Sequence, residues 1–230
     1  MKIGFIGLGN VGSKLAGSLC RNGFELFVRD LNRDIAKPLI EQGAVWGHSP
    51  REIAEQVDMV ITCLPNPAAS AEVMEADEGI LAGLTPGKLW AEMSTTDEVE
   101  VKRLGQRVID NGAEPIDCPV SGGCHRAATG NISIFVGTER STFEKAFPVI
   151  RAMGRRILYT GPLGSASILK VVTNYLASVN LAAIGEAMMT ANCAGIDLST
   201  TYEAIRISSG NSFVHETEGQ VILNGSRDIN

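Results

Sequence analysis

Three glycines near the start of the chain, Gly7, Gly9 and Gly12, constrain the fold more than any other feature of the sequence. They follow an apolar run, residues 2–6, with the spacing G-x-G-x-x-G. The first glycine permits a tight turn, the second lets a pyrophosphate approach the backbone, and the third lets the next helix pack closely on the sheet. The sequence therefore predicts a buried strand, a phosphate-binding turn and a helix that begins near Asn10.

An acidic residue follows the next apolar run, 25–29, where a dinucleotide-binding fold requires one. Asp30 can accept hydrogen bonds from the hydroxyls of an adenosine ribose, which favours NAD over NADP. Arg29 and Arg33 stand close enough in sequence to bind a 2′-phosphate, so NADP remains an alternative. In the other interpretation, Asp30 only caps the following helix.

Composition excludes several classes of protein. The chain has 230 residues, of which 44% are apolar and 20% charged, so it can form one large α/β domain and a smaller element. The net charge of −6 and the scattered Lys and Arg argue against a nucleic-acid or membrane surface and favour a small-molecule partner. Five cysteines without a C-x-x-C pair predict neither a disulfide framework nor a metal site. A strand at the very start leaves no room for a leader, so we expect a cytoplasmic location.

Strand-like and helix-like segments alternate over the first 160 or so residues, which is typical of a Rossmann-type doubly wound, mostly parallel α/β sheet. The strands are predicted at 2–6, 25–29, 59–63, 88–92, 114–117, 132–136 and 156–160. Two Ser-x-x-Glu patterns, which start at Ser49 and Ser141, predict capped helix starts.

The strands stop near Gly164, and the remaining sequence predicts helices over about 165–194 and 199–209. We therefore expect a dinucleotide-binding domain at 1–163 and part of an all-α domain at 164–230. The first of these helices is apolar on more than one face but includes Lys170 and several Asn residues, so it is predicted to be a buried helix and not a membrane span. Its apolar faces would be covered by its own domain or by a second subunit, in a homodimer or homotetramer.

Candidate chemistry lies in the loops that follow the predicted strands, at 63–67, 92–95 and 117–123. Ser121, Gly122 and Gly123 can offer a hydroxyl and backbone N–H groups to a carboxylate, or they form a plain connector. Lys170 lies in an apolar helical run with Asn174 one turn later. A partly desolvated lysine has a lowered pKa and can act as a general acid or base, whereas a surface lysine would only cover apolar neighbours.

The histidines and methionines carry weaker signals. His48 and His215 are expected at the surface, and the Met188–Met189 pair is expected in a core. His125 and Arg126 follow the Ser-Gly-Gly stretch directly, so they either contact a substrate or belong to a solvated loop.

These stretches together resemble the β-hydroxyacid dehydrogenase family, which includes 3-hydroxyisobutyrate dehydrogenases and tartronate semialdehyde reductases. The matching stretches are 5–12, 117–123, and 164–170 with Asn174. The chain departs from the usual family pattern at Val11, Glu92, Ala166 and Thr173, none of which removes a reacting group. Family members usually continue further, in a larger helical domain.

The resemblance implies a role for each matching residue. Lys170 would be the general acid/base, Asn174 would hold the substrate, and Ser121 to Gly123 would bind its carboxylate. The cofactor NAD, or NADP, would lie against the residues Gly7, Leu8, Gly9, Asn10, Val11, Gly12, Asp30, Leu64, Pro65, Ser94 and Thr95. The reaction implied is reversible hydride transfer between a small 3-hydroxy acid and the nicotinamide.

Three other interpretations remain. A 6-phosphogluconate dehydrogenase shares the Ser-Gly-Gly and lysine-helix motifs but normally has Lys-x-x-His-Asn, where this chain has Thr173 before Asn174. Imine reductases share the architecture but usually lack the lysine. A catalytically silent dinucleotide-binding module is the third, and the presence of Lys170 argues against it.

Overall fold

A mostly parallel sheet forms the centre of the first part of the chain. In the computed structural model, which describes residues 1–225, the strands β1 to β9 are Lys2–Ile6, Glu25–Arg29, Val45–Trp46, Met59–Thr62, Leu89–Glu92, Glu114–Asp117, Val120–Ser121, Ser133–Gly137 and Arg156–Gly161. Their order is β3-β2-β1-β4-β5-β6-β8-β7, and β9 pairs with β8 in addition to these neighbours. The strands from β3 to β6 are all parallel, whereas β8 runs antiparallel to β6 and β7. The predicted fold class is confirmed.

Alternate residues of each central strand face opposite sides of the sheet, as the geometry of a strand requires. In β1, Ile3 and Phe5 join one buried apolar cluster, and Ile6 joins the other. In β5, Trp90 lies on the side opposite to Leu89. Both faces are therefore buried, which explains why these strands are continuous apolar runs.

Helices cover both faces of the sheet. In chain order, α1 to α11 are Gly12–Arg21, Lys37–Glu41, Pro50–Gln56, Pro67–Glu75, Ile80–Gly83, Glu98–Asp110, Gly123–Ala128, Arg140–Met153, Ser165–Cys193, Leu198–Arg206 and Gln220–Leu223. Leu15 of α1 and Val149 of α8 contribute to one cluster, and Ile53 of α3 and Leu104 of α6 contribute to the other. The helices therefore complete two hydrophobic cores, one on each side of the sheet.

The predicted helix starts hold in one case and fail in another. Ser49 caps α3, because its hydroxyl accepts the Glu52 N–H at 3.1 Å. The predicted cap at Ser141 is wrong, since α8 already begins at Arg140 with Glu139 as its extended N-cap residue. The helix after the glycine turn begins at Gly12, two residues after Asn10, near which its start was predicted.

The chain forms two compact units, Met1–Val171 and Val172–Asn230, which part within α9. In the second unit, His215 is fully buried, stacks on Tyr202 at 4.4 Å between ring centroids, and has its Nε2 3.0 Å from the Tyr202 carbonyl oxygen. The predicted surface position of His215 is therefore wrong. Met188 is buried beside Ile184 as predicted, but Met189 is 57% exposed.

Helix α9 exposes much of its apolar surface. Among its apolar side chains, Val172, Tyr175 and Leu176 are each more than half exposed. Residues 1–225 therefore do not cover the helix, and its coverage by another subunit stays a prediction. By length and composition α9 could cross a membrane, and only 11% of its most apolar window is buried among the described residues. Among residues 1–225 of the second unit, Ile184 and Met188 of α9 form a small buried cluster with Tyr202 of α10.

Candidate active site

The glycine turn has the shape that a pyrophosphate site requires. Gly7 has φ +96°, and a Cβ on Gly12 would lie 2.0 Å from the Gly7 carbonyl oxygen, so neither position accepts a side chain without strain. A Cβ on Gly9 would meet no atom within 4 Å. The turn is therefore closed towards the sheet and open in front of Gly9, where a dinucleotide phosphate fits.

Asp30 lies behind this turn and is bound to it. Its Oδ2 accepts the Leu8 N–H at 2.7 Å, and its Oδ1 accepts the Asn32 N–H at 3.0 Å. The cap of the next helical turn, Arg33–Ala36, is Asn32 and not Asp30. Asp30 therefore supports the glycine turn, and its position at the end of β2 suits a ribose as well.

The two arginines beside Asp30 differ in what their side chains contact. Arg29 donates to the carbonyl oxygens of Gly47 and His48, at 3.2 and 2.5 Å, and its guanidinium lies over the Trp46 ring. The Arg33 guanidinium lies 5.6 Å from the centre of the same ring, on an exposed residue. Arg29 is therefore occupied by the main chain, whereas Arg33 faces solvent and remains the better candidate for a 2′-phosphate.

A chain of hydrogen bonds joins the next two loops that are predicted to bind the cofactor. The Ser94 hydroxyl accepts the Leu64 N–H at 2.7 Å, and Glu92 accepts the Ser94 N–H at 2.8 Å. Glu92 is 1% exposed, and its burial raises the pKa of this carboxyl above the usual range. Pro65 and Thr95 are exposed beside these anchors. The loops after β4 and β5 are thus held to each other.

The Ser-Gly-Gly stretch lies at the edge of the sheet where β7 ends. Ser121 pairs with Ser133 of β8, and Gly122 and Gly123 have φ of +127° and +74°. Both glycines adopt backbone conformations that other residues rarely reach, so the backbone shape of this loop requires glycine at both positions. Their role in binding a carboxylate stays a prediction.

Sequence reasoning missed the role of Asp117, the last residue of β6. Its Oδ1 accepts the Gly164 N–H at 3.1 Å and its Oδ2 accepts the Ser167 N–H at 2.8 Å, so it caps the N-terminus of α9. Asp117 is fully buried, and Gly137 leaves room for it, because a Cβ there would lie 2.2 Å from its Oδ1. A capping acid distant in sequence leaves no local pattern.

Lys170 lies one turn after this capped start. It is 9% exposed, and burial lowers the pKa of its ammonium group. The predicted desolvation of Lys170 is confirmed, and its catalytic role stays a prediction. Asn174 follows one turn later on α9, within the second unit, and is exposed.

The cysteines near the loops are poorly suited to nucleophilic chemistry. Burial and the nearby Glu92 raise the pKa of Cys63 to about 12, and burial raises the pKa of Cys118 as well. Within residues 1–225 no group of three or more His, Cys, Asp or Glu side chains could hold a metal ion.

Comparison with known proteins identifies the family. Residues 2–161 match the model of the NAD binding domain of 6-phosphogluconate dehydrogenase, and residues 164–230 match the NAD-binding model of NADP-dependent 3-hydroxyisobutyrate dehydrogenase. With a buried lysine on the helix that follows a glycine-turn sheet, the chain belongs to the β-hydroxyacid dehydrogenase family. Its first unit is an NAD(P)-binding domain.

Individual relatives agree with this assignment. The chain is 34% identical to the mitochondrial 3-hydroxyisobutyrate dehydrogenase of Rattus norvegicus over 95% of its own length and 65% of that protein. It is 34% identical to the NAD-dependent L-serine dehydrogenase of Pseudomonas aeruginosa, over 94% of this chain and 72% of that one. The structure of Psf3 in complex with NADP+ and 2-OPP superposes with a TM-score of 0.90 at 28% identity, covering 97% and 79% of the two chains. The chain thus spans about two thirds of the length of the rat enzyme.

The glycine turn makes a prediction that separates folding from cofactor binding. We expect Gly12→Ala to lower the free energy of unfolding by about 1–3 kcal/mol, because the new Cβ collides with the Gly7 carbonyl oxygen. Gly9→Ala should leave stability nearly unchanged and weaken NADH binding, since its Cβ enters the space left for the phosphate. Thermal unfolding and NADH fluorescence titration measure the two effects. Equal losses of stability in both variants would contradict this account.

The Asp117 cap makes a second prediction. Asp117→Ala should accelerate hydrogen exchange at the Gly164 and Ser167 amides and lower stability by about 2 kcal/mol, because both N–H groups lose their buried acceptor. Asp197→Ala, which removes the exposed cap of α10, is the matched control and should leave those two amides unchanged. Hydrogen exchange at these amides can be followed by NMR or mass spectrometry. Unaltered protection of the Ser167 amide in Asp117→Ala would show that Asp117 does not cap α9.

Proposed function

We propose that the protein is an NAD(P)-dependent oxidoreductase of small 3-hydroxy acids, or of the matching semialdehydes. The observation that carries the proposal is the buried Lys170 on a helix capped from the end of β6, in the same unit as the glycine turn. The names of relatives support it, since 3-hydroxyisobutyrate and L-serine both carry a hydroxyl on the carbon β to a carboxylate.

Each residue has a defined part in the proposed reaction. When bound, NAD(P) supplies the hydride acceptor for oxidation and the donor for reduction. Neutral Lys170 accepts the proton of the substrate hydroxyl as the carbon–oxygen double bond forms, and its ammonium form returns the proton in the reverse direction. The low pKa that burial imposes on Lys170 raises the fraction of the neutral amine near neutral pH.

The substrate is oriented by polar groups that the resemblance assigns. The Ser121 hydroxyl and the backbone of Gly122 and Gly123 would bind the carboxylate, and Asn174 would hold the reacting hydroxyl or carbonyl. Positioning of this kind keeps the carbon that bears the hydroxyl in reach of the nicotinamide. We propose NAD as the preferred cofactor, because Asp30 would repel a 2′-phosphate.

The exposed apolar side of α9 supports a proposal on assembly. Val172, Leu176 and Val179 are each more than 40% exposed on this helix, and surfaces of this kind are normally covered by another chain. We propose a homodimer or homotetramer in the cytoplasm, the location that five free cysteines favour. Sedimentation equilibrium of the whole protein tests the assembly, and a monomer, or binding to vesicles, would contradict it.

The role of Lys170 is tested by substitution. Lys170→Ala and the bulkier Lys170→Met should each lower kcat at least about a hundredfold and leave NADH affinity nearly unchanged. In the wild type, oxidation should gain rate as pH rises through the pKa of Lys170, below the ordinary lysine range, because the base must be neutral. Lys145→Ala, on an exposed residue, is the control. Near-normal turnover in the Lys170 variants would exclude this residue as the general acid/base. Tight NADH binding by the wild type, without oxidation of any hydroxy acid, would favour the catalytically silent dinucleotide-binding module.

Because Asp30 also hydrogen-bonds to the glycine turn, its substitution should affect the affinity for both cofactors. Asp30→Ser is expected to weaken NAD most, by loss of ribose hydrogen bonds, but also to weaken NADP somewhat, because the Leu8 N–H loses its acceptor. Arg33→Ala should reduce NADP affinity alone. Dissociation constants for both cofactors in both variants test this, and a wild type that prefers NADP would show that Arg33 outweighs Asp30.

A further inference from the structure

A basic cavity lies on the first unit, beside the Ser-Gly-Gly stretch. Its volume is about 730 Å³, and it is lined by His125, Arg126, Thr129, Asn131, Arg155 and Arg156. Three of these six residues are arginines, in a chain whose net charge is −6. No residue of the lining is acidic. The cavity is therefore a local concentration of positive charge in an acidic protein.

Main-chain hydrogen bonds hold the walls of this cavity in place. The Asn131 N–H donates to the Arg126 carbonyl oxygen at 2.9 Å, which ties the end of α7 to the chain that enters β8. The Arg155 N–H donates to the Ile132 carbonyl oxygen at 3.2 Å, which ties the start of β9 to the same segment. The basic side chains therefore lie on α7 and at the start of β9, and both of these elements are hydrogen-bonded to the segment that enters β8.

Two of the arginines of this cavity, Arg155 and Arg156, are available to a ligand. His125, Arg155 and Arg156 are exposed, and within residues 1–225 neither Arg155 nor Arg156 forms an ion pair with a carboxylate. Other exposed arginines, such as Arg103 and Arg140, are paired with Glu75 and Glu144. The neighbouring positive charges of Arg155 and Arg156 repel each other, so a bound anion would stabilise this arrangement.

The sheet relates the cavity to the predicted carboxylate loop. Ser121 pairs with Ser133, and Ser133 pairs with Arg156, so these three residues form one row across β7, β8 and β9. Paired residues share a face of the sheet, and two strand spacings place Ser121 and Arg156 roughly 10 Å apart. The Arg126 side chain also packs against Gly122, where a Cβ would lie 2.9 Å from its Cδ.

We propose that this cavity is a second anion site, which takes an oxyanion of at least two negative charges, such as a phosphate or a polycarboxylate. Arginine pairs favour such groups because each guanidinium can donate two parallel hydrogen bonds to them. The volume of the cavity suits a small metabolite and not a protein segment.

Inorganic phosphate and pyrophosphate are the probes. The whole protein is first saturated with NADH, so that the glycine turn does not compete for them, and binding is measured by calorimetry. We expect pyrophosphate to bind more tightly than phosphate and both to weaken with added NaCl. Arg155→Glu/Arg156→Glu should raise both dissociation constants at least tenfold. Arg206→Glu/Arg140→Glu, an equal charge change on exposed arginines elsewhere, should not.

Two results would overturn the site: no saturable binding to the wild type, or dissociation constants that the Arg155/Arg156 variant leaves unchanged while its thermal unfolding matches the wild type. Calorimetry needs no turnover, so a failure of the proposed activity would not affect this result. Steady-state kinetics then identify the source of the anion. Competition with the hydroxy acid indicates a distal group of the substrate, and a change in kcat alone indicates a separate effector.

Discussion

The buried carboxylate of Asp117 connects the sheet to the helix that carries the proposed catalytic lysine. It ends β6, it immediately precedes the segment that leads to Ser121, and it accepts two N–H groups at the start of α9. The helix can therefore begin in only one place relative to the sheet, and Lys170 follows one turn later. Gly137 permits this contact, because any side chain there would occupy the position of the carboxylate.

Burial then gives Lys170 its chemical character. The side chain is desolvated within the first unit, and this burial alone lowers the pKa of its ammonium group. The glycine turn works by a similar principle, since Gly7, Gly9 and Gly12 contribute space and backbone conformation and no side-chain chemistry. Lys170 owes its lowered pKa to the exclusion of water, and the glycine turn owes its open backbone to the absence of side chains.

Sequence reasoning succeeded where the cause is local. The strand–turn–helix unit follows from the spacing of three glycines, the sheet class from the alternation of segments, and the burial of Lys170 from its apolar neighbours in sequence. The position of Asp30 was predicted, although its bond to the Leu8 N–H was not, because that contact depends on how β1 and β2 pair. Family motifs supplied the roles, which the fold alone would not reveal.

The failures have non-local causes. His215 looks like a surface residue in sequence, and only the return of its segment onto Tyr202 of α10 buries it. The Ser141 pattern fits a capping box, but Glu139 is already extended and α8 starts a residue earlier than the box requires. Helix α9 has the composition of a core helix, and composition does not say which chain covers it.

The hydrogen-bonded link from Glu92 through Ser94 to the Leu64 N–H has a thermodynamic consequence. Loops that close over a ligand usually lose conformational entropy when they order, and this loss weakens binding. Here the loops after β4 and β5 are held together by buried groups of the protein itself. The conformational entropy of these loops is therefore lost during folding and not when a dinucleotide binds. Affinity is then governed by contacts and desolvation, with little contribution from loop closure.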